Sequence, residues 1–321
     1  MKPVLFATGL GKEIIRAENL NVLFDAYKGD KVFMSMHDPS FQDEAISRKY
    51  YLLVTDIFPT SHFEVGKTMM IWHAIQGGKY IGLDDKRTYY REEFAKNMDM
   101  IVTAGRGGSL MFNRCTHVPL DRIVALGMPR TDRYIGKKKG DGGTVMADKR
   151  GYMYAPTFRD WEDTPFPVID WHWLDEQLTD DEIMVVKSHP YGRSVGLNNL
   201  KHIVEASRME PSVNYLYDAD VVITDYSSII FDGYLLDKPA VLFEKNQGYT
   251  ETRGMYLDYP KQYCSRYARN EQELLDLMRS ADKLTDTEFA CIDYVANACD
   301  GHSCERIVKL IYEMNGGSDN G

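Results

Sequence analysis

Ala219-Asp220-Val221-Val222-Ile223-Thr224-Asp225-Tyr226-Ser227-Ser228 is the stretch whose reading decides the fold. Val221 to Ile223 is a short β-branched run suited to a buried strand. Thr224 to Ser228 supplies turn and N-cap chemistry, and Ile229 to Leu236 carries the apolar face of a helix. Lys238-Pro239 ends that helix, and Ala240 to Phe243 makes the next strand. The unit is strand, polar turn, helix, strand, the repeating module of a doubly wound α/β sheet.

A polar turn between a strand and a helix brings hydroxyls and unbonded backbone N–H groups together at the helix start. Orphan donors and the helix dipole there favour an anion, so the turn can seat a phosphate. The plainer alternative is that Ser227 and Ser228 only cap the helix. No Walker-type glycine-lysine pattern is present, which excludes a P-loop.

Working outward, other strands end in chemistry-bearing residues. Pro3 to Ala7 reads as a first strand, leading through Gly9 and Gly11 to a helix from about Glu13. Lys31 to Met36, Tyr51 to Thr55, Thr68 to Trp72, Met98 to Thr103 and Ile123 to Gly127 follow as buried strands, with His73 directly after the fourth. Gly105 to Ser109 is a strand-to-helix turn that fits neither dinucleotide nor P-loop spacing. Gly151 to Ala155 and Ile183 to Val186 are further strands, tipped by Pro156-Thr157-Phe158-Arg159 and Lys187-Ser188-His189-Pro190. In open α/β sheets, ligand groups gather at such carboxyl ends. Lys201 to Ser207 reads as helical, and 270–284 and 289–314 read as amphipathic helices. Trp161, Trp171 and Trp173 lie in a loop and short helix, with core packing the reading for these rings over base stacking.

The run 219–243 with Arg253-Gly-Met-Tyr-Leu-Asp258 closely resembles the CDP-glycerol glycerophosphotransferase family, the teichoic-acid polymerases and primases of GT-B-like fold. Trp72-His73 with Gly82, Gly127-Met-Pro-Arg-Thr-Asp132, Tyr154 to Arg159 and Lys187 to Pro190 are similar to family blocks in the same order. The loop after His73 departs from the family, reading Ala74-Ile-Gln-Gly-Gly-Lys79 where relatives have Gly-Thr-Pro-Leu-Lys.

The resemblance implies two Rossmann-like doubly wound α/β domains facing a cleft. The divisions expected are an acceptor-side domain over 1–135, a glycine-rich linker over 136–150, a donor-binding domain over 151–300 and a terminal helix and tail over 301–321. It implies transfer of glycerol phosphate from CDP-glycerol to a hydroxyl of a lipid-linked or polyol-phosphate acceptor of teichoic-acid or capsule type, with release of CMP. His73 is then the general base. His189, Arg159, Thr224, Ser227 and Ser228 hold the diphosphate, with Lys187 and Arg253 as lesser phosphate contacts, and Asp225 and Asp232 near the site. No metal and no cofactor beyond the CDP-polyol donor is expected. CDP-ribitol as donor, a GT-B nucleotide-sugar glycosyltransferase and an inactive nucleotide-binding module are the rival readings.

Composition narrows these. A chain of 321 residues exceeds one usual core, so two domains are expected. Hydrophobic content of 44% and aromatic content of 12% are globular values. A net charge of −10 argues against nucleic acid as a partner, and limits electrostatic docking on an anionic membrane to local basic patches. No stretch has the length of a membrane span or signal peptide. Cys115, Cys264, Cys291, Cys299 and Cys304 lack metal-like spacing and suit free thiols in a reducing cytoplasm. Peripheral contact at the inner face of the cell membrane is what the resemblance implies, through the family's lipid-linked acceptors.

Overall fold

The computed structural model describes residues 2–9, 18–41, 50–58, 65–78, 98–157, 169–189, 194–244 and 262–316. These residues form two compact units. One takes the described residues up to Ile135 together with those from Asp293 onward, and the other takes those between Gly136 and Ile292.

The first unit is built on a six-stranded parallel sheet: β1 (Val4–Thr8), β2 (Lys31–Ser35), β3 (Leu52–Thr55), β4 (Lys67–Ile71), β5 (Met100–Thr103) and β6 (Ile123–Ala125). Their spatial order is β2-β1-β3-β4-β5-β6. Period-two alternation divides each strand between two covered faces. Val4, Phe6, Met69 and Ile71 pack under α1 (Glu18–Ala26) with its Leu20 and Leu23. Leu5 and Ala7 face the other side with Leu53, as Met70 and Trp72 do with Phe112 of α2 (Arg106–Thr116).

The second unit carries β7 (Arg150–Tyr154), α3 (Trp171–Gln177), β8 (Glu182–Val186), β9 (Ile203–Glu205), α4 (Ser212–Asp218), β10 (Val221–Thr224), α5 (Ile229–Leu235), β11 (Ala240–Phe243) and β12 (Tyr267–Ala268). The sheet is again parallel and six-stranded, ordered β12-β11-β10-β7-β8-β9. Then come α6 (Glu271–Ser280), α7 (Asp286–Val295) and α8 (Ser303–Met314). Ile307 and Ile311 of α8 lie in the first unit's core beside Tyr27. Trp171 and Trp173 pack against the second unit's core, as expected for these rings.

Two local expectations are corrected. Residues 201–207 are not helical, because Ile203 to Glu205 pair with Met184 to Val186 and extend the sheet edge as β9. That pairing overrides a weak local preference. The helix expected over 289–314 is two helices, α7 and α8, parted by a turn in which Gly301 adopts φ +91°. The strand β12 and the helix α4 are additions to the elements read from the sequence.

The glycine-rich run after Ile135 is held down. Gly140 N, Gly142 N, Thr144 N and Thr144 Oγ1 all donate to the carboxylate of the fully buried Asp218, at 2.7–3.0 Å. Lys139 pairs with Asp220 two residues on. All five cysteines are free thiols. Among the described residues, no helix is long and apolar enough to cross a membrane, and no group of His, Cys, Asp or Glu could hold a metal ion.

Candidate active site

In each unit the order in which strands join the sheet reverses once. Chain order runs outward from β1 to β2 and, the other way, from β3 to β6, so the reversal in the first unit lies between β1 and β3. In the second it lies between β7 and β10, since β7, β8 and β9 run one way and β10, β11 and β12 the other. Loops diverge at such a point and leave a crevice beyond the carboxyl ends of the strands.

In the first unit Asp56 closes β3 beside that reversal. Its carboxylate accepts from Thr8 Oγ1 at 2.6 Å and from Gly9 N at 2.9 Å. Burial pushes the carboxyl up to about 6, against the lowering pull of these two bonds.

His73 stands two residues beyond the end of the adjacent strand β4. Trp72, 7% exposed, anchors the segment between Phe58 and Phe112, with ring centroids at 5.8 and 5.5 Å. The half-buried His73 ring lies against the indole, 4.6 Å between centroids. Its backbone is fixed from two sides. Asn19 Nδ2 donates to Trp72 O at 3.2 Å, and Arg130 Nη1 donates to His73 O at 2.6 Å. Asn19 Oδ1 in turn accepts the backbone N–H of Arg130 at 3.1 Å. Within the 127–132 block, Arg130 thus turns to His73 while Asp132 accepts from Ser303 N and Cys304 N and caps α8.

In the second unit, β7 and β10 are neighbours, with Tyr154 opposite Ile223. The loops that follow them are stitched together. Asp225 Oδ1 accepts from Thr157 N at 2.8 Å and from Tyr226 N at 2.6 Å. Thr224 Oγ1, fully buried, donates to Ala155 O at 2.5 Å and accepts from Ser227 N at 3.3 Å. Thr224 and Asp225 therefore build the turn. Ser227 and Ser228 are half-buried on it. Ser228 occupies the N-cap position of α5 without a side-chain cap bond, while Ser227 Oγ accepts Ile229 N at 3.4 Å. The hydroxyl of Thr157, 9% exposed, has no hydrogen-bond partner among the described residues. A buried hydroxyl in that condition is unfavourable until something bonds it.

The next strand, β8, is followed directly by Lys187, whose ammonium is buried and donates to Ser207 O at 3.0 Å. His189, two residues on, is exposed. Glu205 fastens the chain on both flanks of His189, accepting from Ser188 Oγ at 3.4 Å, Ser194 Oγ at 2.7 Å and Val195 N at 2.8 Å. The ends of β8, β7 and β10 thus bring His189, Thr157, Ser227 and Ser228 to one edge of one sheet. Arg159 and Arg253 lie outside the described residues, as do Lys79 and Gly82. Asn19, Thr157 and Glu205 were not picked out as site residues from the sequence. Only Thr157 carried a signal, as a hydroxyl at a strand tip.

The family of CDP-glycerol:poly(glycerophosphate) glycerophosphotransferases matches residues 40–313. The chain belongs to this family. A teichoic acid poly(ribitol-phosphate) polymerase of Bacillus spizizenii is 23% identical over 308 residues, covering 86% of this chain and 50% of that protein. The chain therefore spans about half the length of that relative. A teichoic acid glycerol-phosphate transferase of Staphylococcus aureus is 26% identical over 278 residues, covering 76% of this chain and 71% of its own. A solved structure of a variant of the wall teichoic acid polymerase TagF, soaked with CDPG, superposes with a TM-score of 0.78 at 17% identity, over 98% of this chain and 88% of that one. The GT-B-like architecture expected for the family is thus the fold of this chain.

Proposed function

We propose that this member of the family transfers glycerol phosphate from CDP-glycerol to a hydroxyl of a lipid-linked, teichoic-acid or capsule-type acceptor and releases CMP. The observation that carries this reading is that the family match takes in His73 and His189, each standing just beyond the carboxyl end of a parallel strand. His73 takes the proton of the attacking hydroxyl. The oxygen attacks the glycerol-bearing phosphorus, the bridging P–O bond breaks, and its electron pair leaves with CMP. His189, Arg159, Ser227 and Ser228 carry the charge that grows on the leaving phosphate. Thr157 offers them a further donor, Thr224 serves by shaping the turn, and Lys187 and Arg253 are outer contacts. This chemistry calls for no metal, so turnover should survive chelation by EDTA. An acceptor held in the membrane makes a peripheral contact there part of the same reading.

The test is CMP release from CDP-glycerol with and without a polyol-phosphate acceptor, comparing wild type with His73→Ala. Acceptor-dependent release that the variant lacks is the expected result. Full release by His73→Ala would remove the base from this reading. CDP-ribitol is the second donor to assay, because the Bacillus spizizenii relative is a ribitol-phosphate polymerase. Turnover of CDP-ribitol alone would transfer the assignment to that polyol.

A further inference from the structure

Arg130 is only 7% exposed, and a guanidinium is taken out of water at a cost that its hydrogen bonds must offset. Its partners among the described residues include the backbone carbonyl of His73, at 2.6 Å, and the carboxylate of Glu18, at 3.8 Å. Asn19 follows Glu18 at the start of α1 and is 3% exposed. Both ends of its amide are engaged, one with Trp72 O and the other with Arg130 N. Two consecutive carbonyls, those of Trp72 and His73, are thus each held by a side chain from elsewhere in the chain. A peptide plane whose carbonyl is fixed at one end has its rotation about the chain restrained. Fixing two in succession sets the direction in which the Cα of His73 projects its ring. Trp72, packed between two other aromatic rings, holds the third side.

We infer that Asn19 and Arg130 are positioning residues for His73, clamping the backbone on both sides of it so that the imidazole meets the acceptor hydroxyl in a reactive geometry. This rests on the reading of His73 as general base. It goes beyond the family match, since Asn19 lies upstream of residues 40–313 and belongs to a helix that the match leaves out. Neither residue touches substrate in this scheme. Their effect appears in the rate of proton removal and not in the affinity for the donor, which the second unit holds. Misplacing a reacting group by about 1 Å lowers a rate by roughly a hundredfold.

The experiment compares wild type, His73→Ala, Asn19→Ala, Arg130→Met and Arg130→Lys. For each, the melting temperature, CDP-glycerol affinity by calorimetry and single-turnover CMP release with acceptor are measured. Asn19→Ala and Arg130→Met should release CMP about 10- to 100-fold more slowly while donor affinity stays within about twofold. Arg130→Lys, which keeps a donor for the His73 carbonyl, should recover most of the rate. Unchanged rates in Asn19→Ala and Arg130→Met, with His73→Ala inactive, overturn the clamp and leave the transferase reading intact. Full activity in His73→Ala overturns both. Equal losses of rate and donor affinity, no rescue by lysine, or loss of the folded state in all the clamp variants would mark the contacts as merely structural and overturn the proposal.

Discussion

Asp225 accepts the backbone N–H of Thr157 at 2.8 Å and so joins the loop after β7 to the turn after β10. The same oxygen accepts Tyr226 N at 2.6 Å, and Asp225 is 3% exposed. Removing the carboxylate leaves two N–H groups to be satisfied by other means, a loss of about 1–3 kcal/mol. Asp225→Ala should therefore weaken CDP-glycerol binding at least tenfold, with Asp225→Asn in between. Calorimetric titration checks this, and unchanged affinity in the alanine variant would show that the turn does not shape the donor site.

The carboxyl of Asp56 titrates at about 6 in the folded chain against an ordinary 3.8, because burial disfavours its charge. A raised value means that the folded state holds the proton more tightly than the unfolded one. The corresponding stability is complete below pH about 4 and is lost as pH rises through about 6, a change of about 2–3 kcal/mol. Relative to Asp56→Asn, wild type should therefore lose stability between pH 4 and pH 7. Urea unfolding of both proteins across that range measures it, and parallel pH curves would contradict it.

Gly127 sits at φ +92°, and a Cβ there would come within 2.2 Å of Ser303 Oγ and 2.3 Å of the Ala298 carbonyl. Gly127→Ala should therefore destabilise the protein by roughly 2 kcal/mol or more, through both backbone strain and overlap with the start of α8. The urea midpoint reports it. A midpoint equal to wild type would mean that the turn yields freely.

Glu182, 6% exposed, is bonded twice by Arg279, at 2.7 and 2.9 Å, and once by the hydroxyl of Tyr152 at 2.7 Å. Burial opposes its charge, but these partners outweigh it and hold the carboxyl at about 2. The resulting stability is present above pH about 4.5 and lost as pH falls toward about 2. Arg279 is partly exposed, so Arg279→Ala should cost about 2 kcal/mol at neutral pH, less than a fully buried pair would. The loss should shrink below pH 4. Chemical unfolding at pH 7 and pH 3 measures both, and an equal loss at the two values would exclude the ion pair as its source.

The strands were legible because residues such as Val4 to Ala7 and Val221 to Ile223 are buried on both faces, and a parallel strand of that kind is an unbroken apolar run. His73 and Ser227 were read just beyond strand ends, and the structure sets both there, after β4 and β10. Ile203 to Glu205 misled because three residues at a sheet edge show no period of their own, and only the partner strand makes them β. The supports of the site were beyond local reading. Asn19 meets Trp72 from 53 positions away and Arg130 from 111, and nothing around Glu18-Asn19-Leu20 announces either bond. Thr224 shows the converse, since its hydroxyl looked available at a strand tip and is taken up by Ala155 O.

The placement of α8 in the first unit also bears on how the chain is made. Ile307 and Ile311 cover the β1 face beside Leu20 and Tyr27, and Asn315 Nδ2 donates to Lys2 O across 313 positions. During translation the first sheet emerges early, but the helix that seals it leaves the ribosome only after every strand of the second sheet. The second unit can close its core while the first still shows an apolar face to water. The first unit's core therefore waits for α8 before it can close, and the nascent first unit is the stage at which a chaperone has most to shield.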